Sequence, residues 1–353
     1  MIDKNAGGRI ASDYPDLPSE NRERYLISSL MEEAIASSQI EGAATTRKVA
    51  KEMLRTGRSP RNRAERMILN NYVTIQKIKK YIKQPLTIEM LHDLQMSMTE
   101  GTLQDTSASG RFRTESDEIV VIDESDGQVL HVPPAAADLP ARMETFLAFA
   151  NDARDDPFIH PVIRAVLLHF WLAYEHPYVD GNGRTARAVF YWFMLSRDYR
   201  LFEYISISRV IHKAIGLYAR AFLHSERDGN DATYFLVYHT RAILLALEEL
   251  HLYLKRKQEE ARRTAELLRR IAGLNHRQQA LLRHALKHPD ATYTILSHRN
   301  SHNISYGTSR ADLLDLARRK FLLKKKAGKT FRFEVAGDIV PKLGLTEDAG
   351  ISF

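Results

Sequence analysis

Apolar residues recur at three- and four-residue spacing along most of the chain, the period of amphipathic helices. Leu26, Leu30, Met31 and Ile35 predict a helix from about Glu20 to Gln39, with Gly42 as its stop. A second helix is expected over Arg47 to Leu54, broken by Gly57 to Pro60. A third is expected over Arg63 to Ile82 through Met67, Ile68, Tyr72, Ile75 and Ile78. Thr87 is placed to cap a helix reaching Met98. Val162, Ala165, Val166, Phe170 and Ala173 carry the same period over Pro161 to Glu175. Helices are expected to dominate from Asp138 to about Arg270, with Leu244 to Arg270 increasingly charged. The residues before Glu20, with Gly7-Gly8, Pro15 and Pro18, look loose.

The pattern changes twice. Glu118 to Asp123, through Ile119, Val120, Val121 and Ile122, is apolar and β-branched, and Gln128 to Val132 is similar. Ser125-Asp126-Gly127 separates them, which predicts a hairpin, and Pro133-Pro134 closes it. A lone hairpin is marginal in water and must pack on something. Near the C-terminus, helices are expected over Arg277 to Lys287, Thr292 to Ser301 and, capped by Ser305, Tyr306 to Lys320. Two strands within Phe321 to Phe333 then turn at Ala327-Gly328. That order resembles a winged helix. The expected class is mainly α: a helical bundle with a β-hairpin, plus a small C-terminal α+β winged-helix domain. The expected boundaries are an N-terminal helical region over 1–85, a core over 86–245, a connecting helix over 246–272 and the winged helix over 273–340.

Charge sharpens this division. The net charge is +7, yet Gly273 to Glu334 holds thirteen Lys/Arg against four Asp/Glu, leaving −2 for the remainder. Arg310, Lys324, Lys325, Lys326, Lys329 and Arg332 are candidate phosphate contacts, so duplex DNA and a protein partner are both kept open for this segment. The chain contains no cysteine, which excludes disulfides, thiolate metal sites and a cysteine nucleophile. No apolar run reaches membrane-spanning length, and the N-terminus lacks the apolar core of a signal peptide. A cytoplasmic protein without membrane partners is expected.

The densest chemistry lies in His176-Pro177-Tyr178-Val179-Asp180-Gly181-Asn182-Gly183-Arg184-Thr185-Ala186-Arg187. Pro177 turns the chain out of the preceding helix at His176. Gly181-Asn182-Gly183 then lets N–H groups converge before a second helix near Arg184. A glycine loop at a helix N-terminus suits an anion. Arg184 and Arg187 at i, i+3 share a helix face. Asp180 offers hard oxygens for Mg²⁺ beside a phosphate. His176 is the one group here whose unperturbed pKa suits proton transfer near neutrality. The plain alternative, a helix-to-helix turn, needs no such set. No Walker signature is present.

These residues closely resemble the signature of the Fic family, H-x-F-x-[DE]-G-N-G-R-x-x-R, with Tyr178 where the family usually has Phe. A tyrosine packed under the loop must find a partner for its hydroxyl. The resemblance implies a protein adenylyltransferase, moving AMP from ATP to a Ser, Thr or Tyr hydroxyl of a target protein. His176 would be the base and Asp180 the Mg²⁺ ligand. Gly181, Asn182, Gly183, Arg184 and Arg187 would hold phosphates. Tyr218 and Asn230 are expected adenine contacts, and His160 and His169 are expected to be structural. The hairpin corresponds to the family's flap, with Ile119, Val120, Val121 and Ile122 aligning the target segment. Ser37-Ser38-Gln39-Ile40-Glu41-Gly42 resembles the family's inhibitory motif, [ST]-x-x-x-E-[GN], which implies that Glu41 engages Arg187 and restrains the enzyme. Removal of AMP from a target, or a DNA-binding regulator with a non-catalytic core, are the competing functions. Self-modification and a homodimer are left open.

Overall fold

The structure is a computed structural model that describes residues 2–3, 19–122, 127–151, 158–271, 273–327 and 330–342. Gly7-Gly8, Pro15, Pro18, Asp123, Ser125-Asp126, Gly328 and Lys329, which figured in the expectations above, lie outside the described residues. Contacts divide the chain into two compact units, Met1–Leu252 and Tyr253–Phe353.

The first unit is helical: α1 Ser19–Ile40, α2 Arg47–Thr56, α3 Arg63–Tyr81 and α4 Ile88–Thr99 precede the hairpin. Local chemistry fixes their ends. Thr46, Asn62 and Thr87 accept the capping bonds of α2, α3 and α4, and Gly57 ends α2 at φ 68°. After the hairpin come α5 Leu139–Asn151, α6 Pro161–Glu175, α7 Asn182–Ser196, α8 Ile207–Lys213 and α9 Ile215–Arg227. His160 caps α6 through Nδ1, so its role is structural, as expected. A continuous helix, α10 Thr233–Arg270, takes in most of the segment expected to be a separate connector.

Helix α7 is the axis of this unit. Ala186 and every residue from Ala188 to Leu195 are buried, so the helix is apolar all round and sits in the core. It packs against α1, α3, α4 and α6. The first turns of this buried helix carry Arg184 and Arg187, so the two charges are presented from a rigid element.

The hairpin is smaller than its sequence predicts. β1 is Val121–Ile122 and β2 is Val129–His131, paired antiparallel with a register shift between Val121 and Ile122. Ile119 and Val120, expected in the strand, precede it, because Glu118 adopts a left-handed φ of 47° that breaks extended backbone there.

The second unit holds α11 His276–Lys287, β3 Thr292–Tyr293, α12 Ile295–His302, α13 Tyr306–Arg318, β4 Leu322–Ala327, β5 Thr330–Val335 and α14 Ile339–Lys342. The sheet order is β3-β5-β4, all antiparallel. Leu281, Leu282, Leu313, Leu316, Leu322 and Phe333 form its core. Thr292 and Tyr293, expected to start a helix, form a strand on β5 instead. Two causes combine: β5, some forty positions later, pairs with their backbone, and Thr294 with Ser297 forms a capping box, so α12 begins only at Ile295.

Candidate active site at the His176 loop

Helix α6 ends where its last carbonyls meet cations. His176 takes a left-handed conformation, φ 47° and ψ 54°, and its N–H closes on Leu172 O at 3.2 Å. Arg113 donates from Nε to His176 O at 2.8 Å and from Nη2 to the carbonyls of Glu175 and Pro134. The Glu175 side chain is fully buried and accepts from Arg142 and from Trp171 Nε1. These contacts hold the loop's entry. Arg113 and Arg142 were not singled out from sequence, since neither lies in a motif or a charge cluster.

The loop is folded by its own asparagine. Asn182 Oδ1 accepts from Tyr178 N at 2.9 Å, and Asn182 Nδ2 donates to Tyr178 O at 2.7 Å. The expected role of this amide was to hold phosphate oxygens, but most of its capacity goes to clamping the loop. The Tyr178 ring is fully buried beneath it, and its hydroxyl reaches His92 Nδ1 at 3.2 Å, the partner that a buried phenol requires. Gln95 Nε2 supports the loop further, donating to Asp180 O at 3.1 Å.

Gly181, at φ 88°, caps α7 without any side-chain hydrogen bond. The helix therefore starts with an uncapped N-terminus, where partial positive charge is concentrated. Arg184 is fully buried. Its Nη1 donates to Met98 O and its Nη2 to Asp180 Oδ1, both at 2.9 Å, while Nε has no partner among the described residues. Arg187, only 4% exposed, turns the other way. Its Nε donates to Ser37 Oγ at 2.8 Å, and Nη2 donates to Ser37 O and Glu41 Oε1, both at 2.9 Å. Nη1 is buried and unpartnered among the described residues. The shared face expected at i, i+3 thus divides, Arg184 toward α4 and Arg187 toward α1.

The Glu41 carboxylate occupies the uncapped N-terminus. A Cβ built on Gly183 would lie against Glu41 Oε1 and 3.2 Å from Arg187 Nη1, so a side chain there would push the carboxylate out of this position. Burial pushes the Glu41 carboxyl up, but Arg187 and then Arg184 outweigh it and hold its pKa below the ordinary value. The carboxylate is an internal anion seated beside Gly183 at the start of α7, bonded to Arg187 and within the field of Arg184.

His176 is partly buried beside this centre. Burial, followed by the positive charge of His131, lowers its pKa to about 4, while a bond to the Ala173 carbonyl opposes the shift. The ring is neutral at pH 7. The nitrogen bonded to the Ala173 carbonyl carries the proton, so the other is the one with a lone pair able to accept a proton. Asp180 Oδ1 accepts from Arg184 and from Gly181 N, and Oδ2 lies 3.3 Å from Arg63 Nη2. No group of three or more His, Cys, Asp or Glu suited to a metal occurs among the described residues. A single carboxylate still fits Mg²⁺, which keeps waters and takes substrate phosphates as ligands.

The two expected adenine contacts lie apart in character. Tyr218 is buried, with its hydroxyl 3.0 Å from His169 Nε2, in a cluster with Phe222, Phe235 and His239. Asn230 is exposed at φ 65°, and its Nδ2 is 3.4 Å from the Tyr174 hydroxyl. Of the hairpin residues, Val120 and Ile122 are exposed.

Comparison with known proteins points to one family for residues 85–194. Residues 85–194 match the model of the Fic/DOC family. The chain is 43% identical over 82 residues to a protein adenylyltransferase Fic of Nematostella vectensis, covering 22% of this chain and 16% of that protein. It is 38% identical over 69 residues to the protein of the same name from Drosophila grimshawi, covering 20% and 14%. The matched stretches are thus a small part of these relatives' length. Among solved structures, a Fic family protein from Desulfovibrio desulfuricans aligns over 95% of this chain and 94% of its own, at 18% identity and a TM-score of 0.64. Fic-1 from C. elegans aligns over 72% and 69%, at 17% identity and a TM-score of 0.54. The uncapped loop, its clamping asparagine and its paired arginines therefore stand in a mainly α chain that carries a Fic domain at residues 85–194.

Proposed function

We propose that the chain is a protein adenylyltransferase held in check by Glu41. The observation that carries this is the Glu41 carboxylate on the α7 N-terminus and Arg187. It marks an anion site and fills it with the chain's own anion. With Glu41 withdrawn, Arg187 has donors for the γ-phosphate of ATP, and the N–H groups of Asn182 and Gly183 face the phosphate chain. Arg184 keeps Asp180 oriented. Asp180 would hold Mg²⁺, which supplies neutralisation of phosphate charge. Neutral His176 takes the proton of a target Ser, Thr or Tyr hydroxyl. The hydroxyl oxygen bonds to the α-phosphorus, the bond from that phosphorus to the bridging oxygen breaks, and pyrophosphate leaves. The hairpin aligns the target segment, by strand-like pairing along exposed Ile122 and its neighbours.

The test is label incorporation from ATP, read by mass shift, on lysate proteins and on the chain itself. Glu41→Gly is expected to raise incorporation, and adding His176→Ala is expected to abolish it with ATP binding retained. Equal incorporation in wild type and Glu41→Gly would remove the brake, and activity surviving His176→Ala would remove the base. A Glu41→Gly variant that gains transfer but no longer strips AMP from a modified target would assign Glu41 to hydrolysis as well.

A second reading concerns the C-terminal unit: a winged helix that contacts duplex DNA. The exposed face of α13 carries Tyr306, Gly307, Arg310 and Ala311 and no acid. Asp312 is drawn inward by Arg277, Asn275 and His298, and Asp315 is held by Arg319 and Gln278. Lys324, Lys325, Lys326 and Arg332 are exposed on β4 and β5. The full chain is expected to bind duplex with steep salt dependence, and Arg310→Ala with Lys326→Ala to weaken it. Absence of binding at low salt would leave a protein partner.

A further inference from the structure

His131 is the last residue of β2 and stands opposite Val121 in the hairpin. Its ring is nearly buried, 10% exposed, and both nitrogens are engaged. Nδ1 lies 2.8 Å from Glu226 Oε2 on α9, and Nε2 lies 2.8 Å from Tyr174 O in the last turn of α6. An ionised carboxylate and a backbone carbonyl only accept hydrogen bonds. Both ring nitrogens must therefore carry protons, and the ring is an imidazolium. The Tyr174 ring packs against it at 4.9 Å between centroids. Arg113 also faces it and disfavours its charge, and the charge of His131 lowers the proton affinity of the neutral His176 ring.

We propose that His131 is a positioning residue, a protonated clasp that ties the second hairpin strand to the end of α6 and to α9, and so fixes where the hairpin meets the His176 loop. The strands contribute two and three residues, so their own ladder holds little. Losing the proton would set a bare nitrogen lone pair against an acceptor, and the bond would become a repulsion. Burial works against the charged ring, but the bonds to Glu226 and Tyr174 O outweigh it and hold the pKa above the ordinary histidine value. The sign follows. The clasp is fully present below the ordinary value of about 6.5 and is lost as pH rises through the raised one. Loss of that proton also removes a positive charge from beside His176. The effect on transfer rests on the adenylyltransferase reading, whereas the clasp itself does not.

The experiment is hydrogen exchange on the full chain from about pH 5.5 to about pH 8.5, corrected for intrinsic rates and read over residues 127–134. Wild type is expected to lose protection by about tenfold or more across the His131 titration, the worth of one charge-assisted bond. His131→Phe should show low protection at every pH. Glu226→Gln keeps an acceptor without the charge, so its break should move to lower pH. His131→Arg keeps charge and two donors, so it should restore protection and abolish the break. Circular dichroism checks that each variant folds. Protection independent of pH in wild type, or a break that survives in His131→Phe, would overturn the clasp. Self-modification by the Glu41→Gly variant, followed over the same range, should fall with the same break. No incorporation at any pH, with the exchange break intact, would sink the transferase reading and leave the clasp standing.

Discussion

Replacing Glu41 by alanine should do two opposed things at once. In the free protein it removes the carboxylate from Arg187, whose side chain is 4% exposed and would keep the two Ser37 acceptors. A charge-assisted bond contributes about 1.5–3 kcal/mol, and stripping one partner from a buried pair costs more. The Glu41 side chain is still 29% exposed, so water screens the pair and the lower end applies, about 1.5 kcal/mol. For a unit of this size each kcal/mol moves the melting midpoint by about 2–4 °C, which gives a drop of about 3–6 °C. ATP should reverse it, because the variant offers an empty anion site. At a hundredfold excess over its Kd the nucleotide returns about 2.7 kcal/mol, whereas wild type must first displace its own carboxylate. Thermal melts of both proteins, with and without ATP and Mg²⁺, read all four numbers. Identical melting points and identical ATP shifts would refute the idea that Glu41 holds the site. An ordinary exposed glutamate would change stability by at most about 0.5 kcal/mol.

Three further outcomes are expected. The stability gap between wild type and Glu41→Ala should be full above the ordinary carboxyl value of about 4.5 and should close as pH falls through the depressed one, which acid titration of both melts would check. Tyr178→Phe should lose only the bond to His92, about 0.5–1.5 kcal/mol by denaturant titration, and keep any transfer activity; a collapsed loop would mean that the hydroxyl organises it. Asp180→Ala should abolish Mg²⁺-dependent activity, and unchanged dependence in a metal titration would remove Asp180 from the metal site.

Most of the fold was legible because periodicity reports burial. Helices α1 to α4 and α6 match their expected spans within about two residues, since apolar spacing and caps such as Thr87 act within the same segment. The loop's chemistry was legible for a different reason: twelve contiguous residues carry it. What sequence hid was long-range. Arg113, His131 and Glu226 meet the α6 end from distant segments, and nothing in their neighbourhoods marks them. The division between Arg184 and Arg187 was also hidden, because i, i+3 spacing fixes only where a side chain starts. Thr292 and Tyr293 failed as helix because a partner strand some forty positions later, at Phe333 and Glu334, claims their backbone.

The place of Glu41 in its own helix sets how it leaves. It sits just past the last residue of α1, where the turn is held by Glu41 N to Ser38 O at 3.1 Å, Gly42 N to Gln39 O at 3.1 Å and Ala43 N to Ser38 O at 3.0 Å. Gly42, at φ 83°, has no heavy atom near the place a Cβ would take, so the turn has room to unwind. Ser37, one turn earlier, holds Arg187 by its own Oγ and carbonyl, independently of Glu41. Withdrawal therefore requires fraying of a single turn rather than displacement of a helix. Two or three such bonds amount to about 2–3 kcal/mol net, and releasing Arg187 adds about 1.5 kcal/mol, so the open fraction is about 0.05–0.3%. Under the proposed autoinhibition, resting transfer would follow helix-end fraying and rise with temperature.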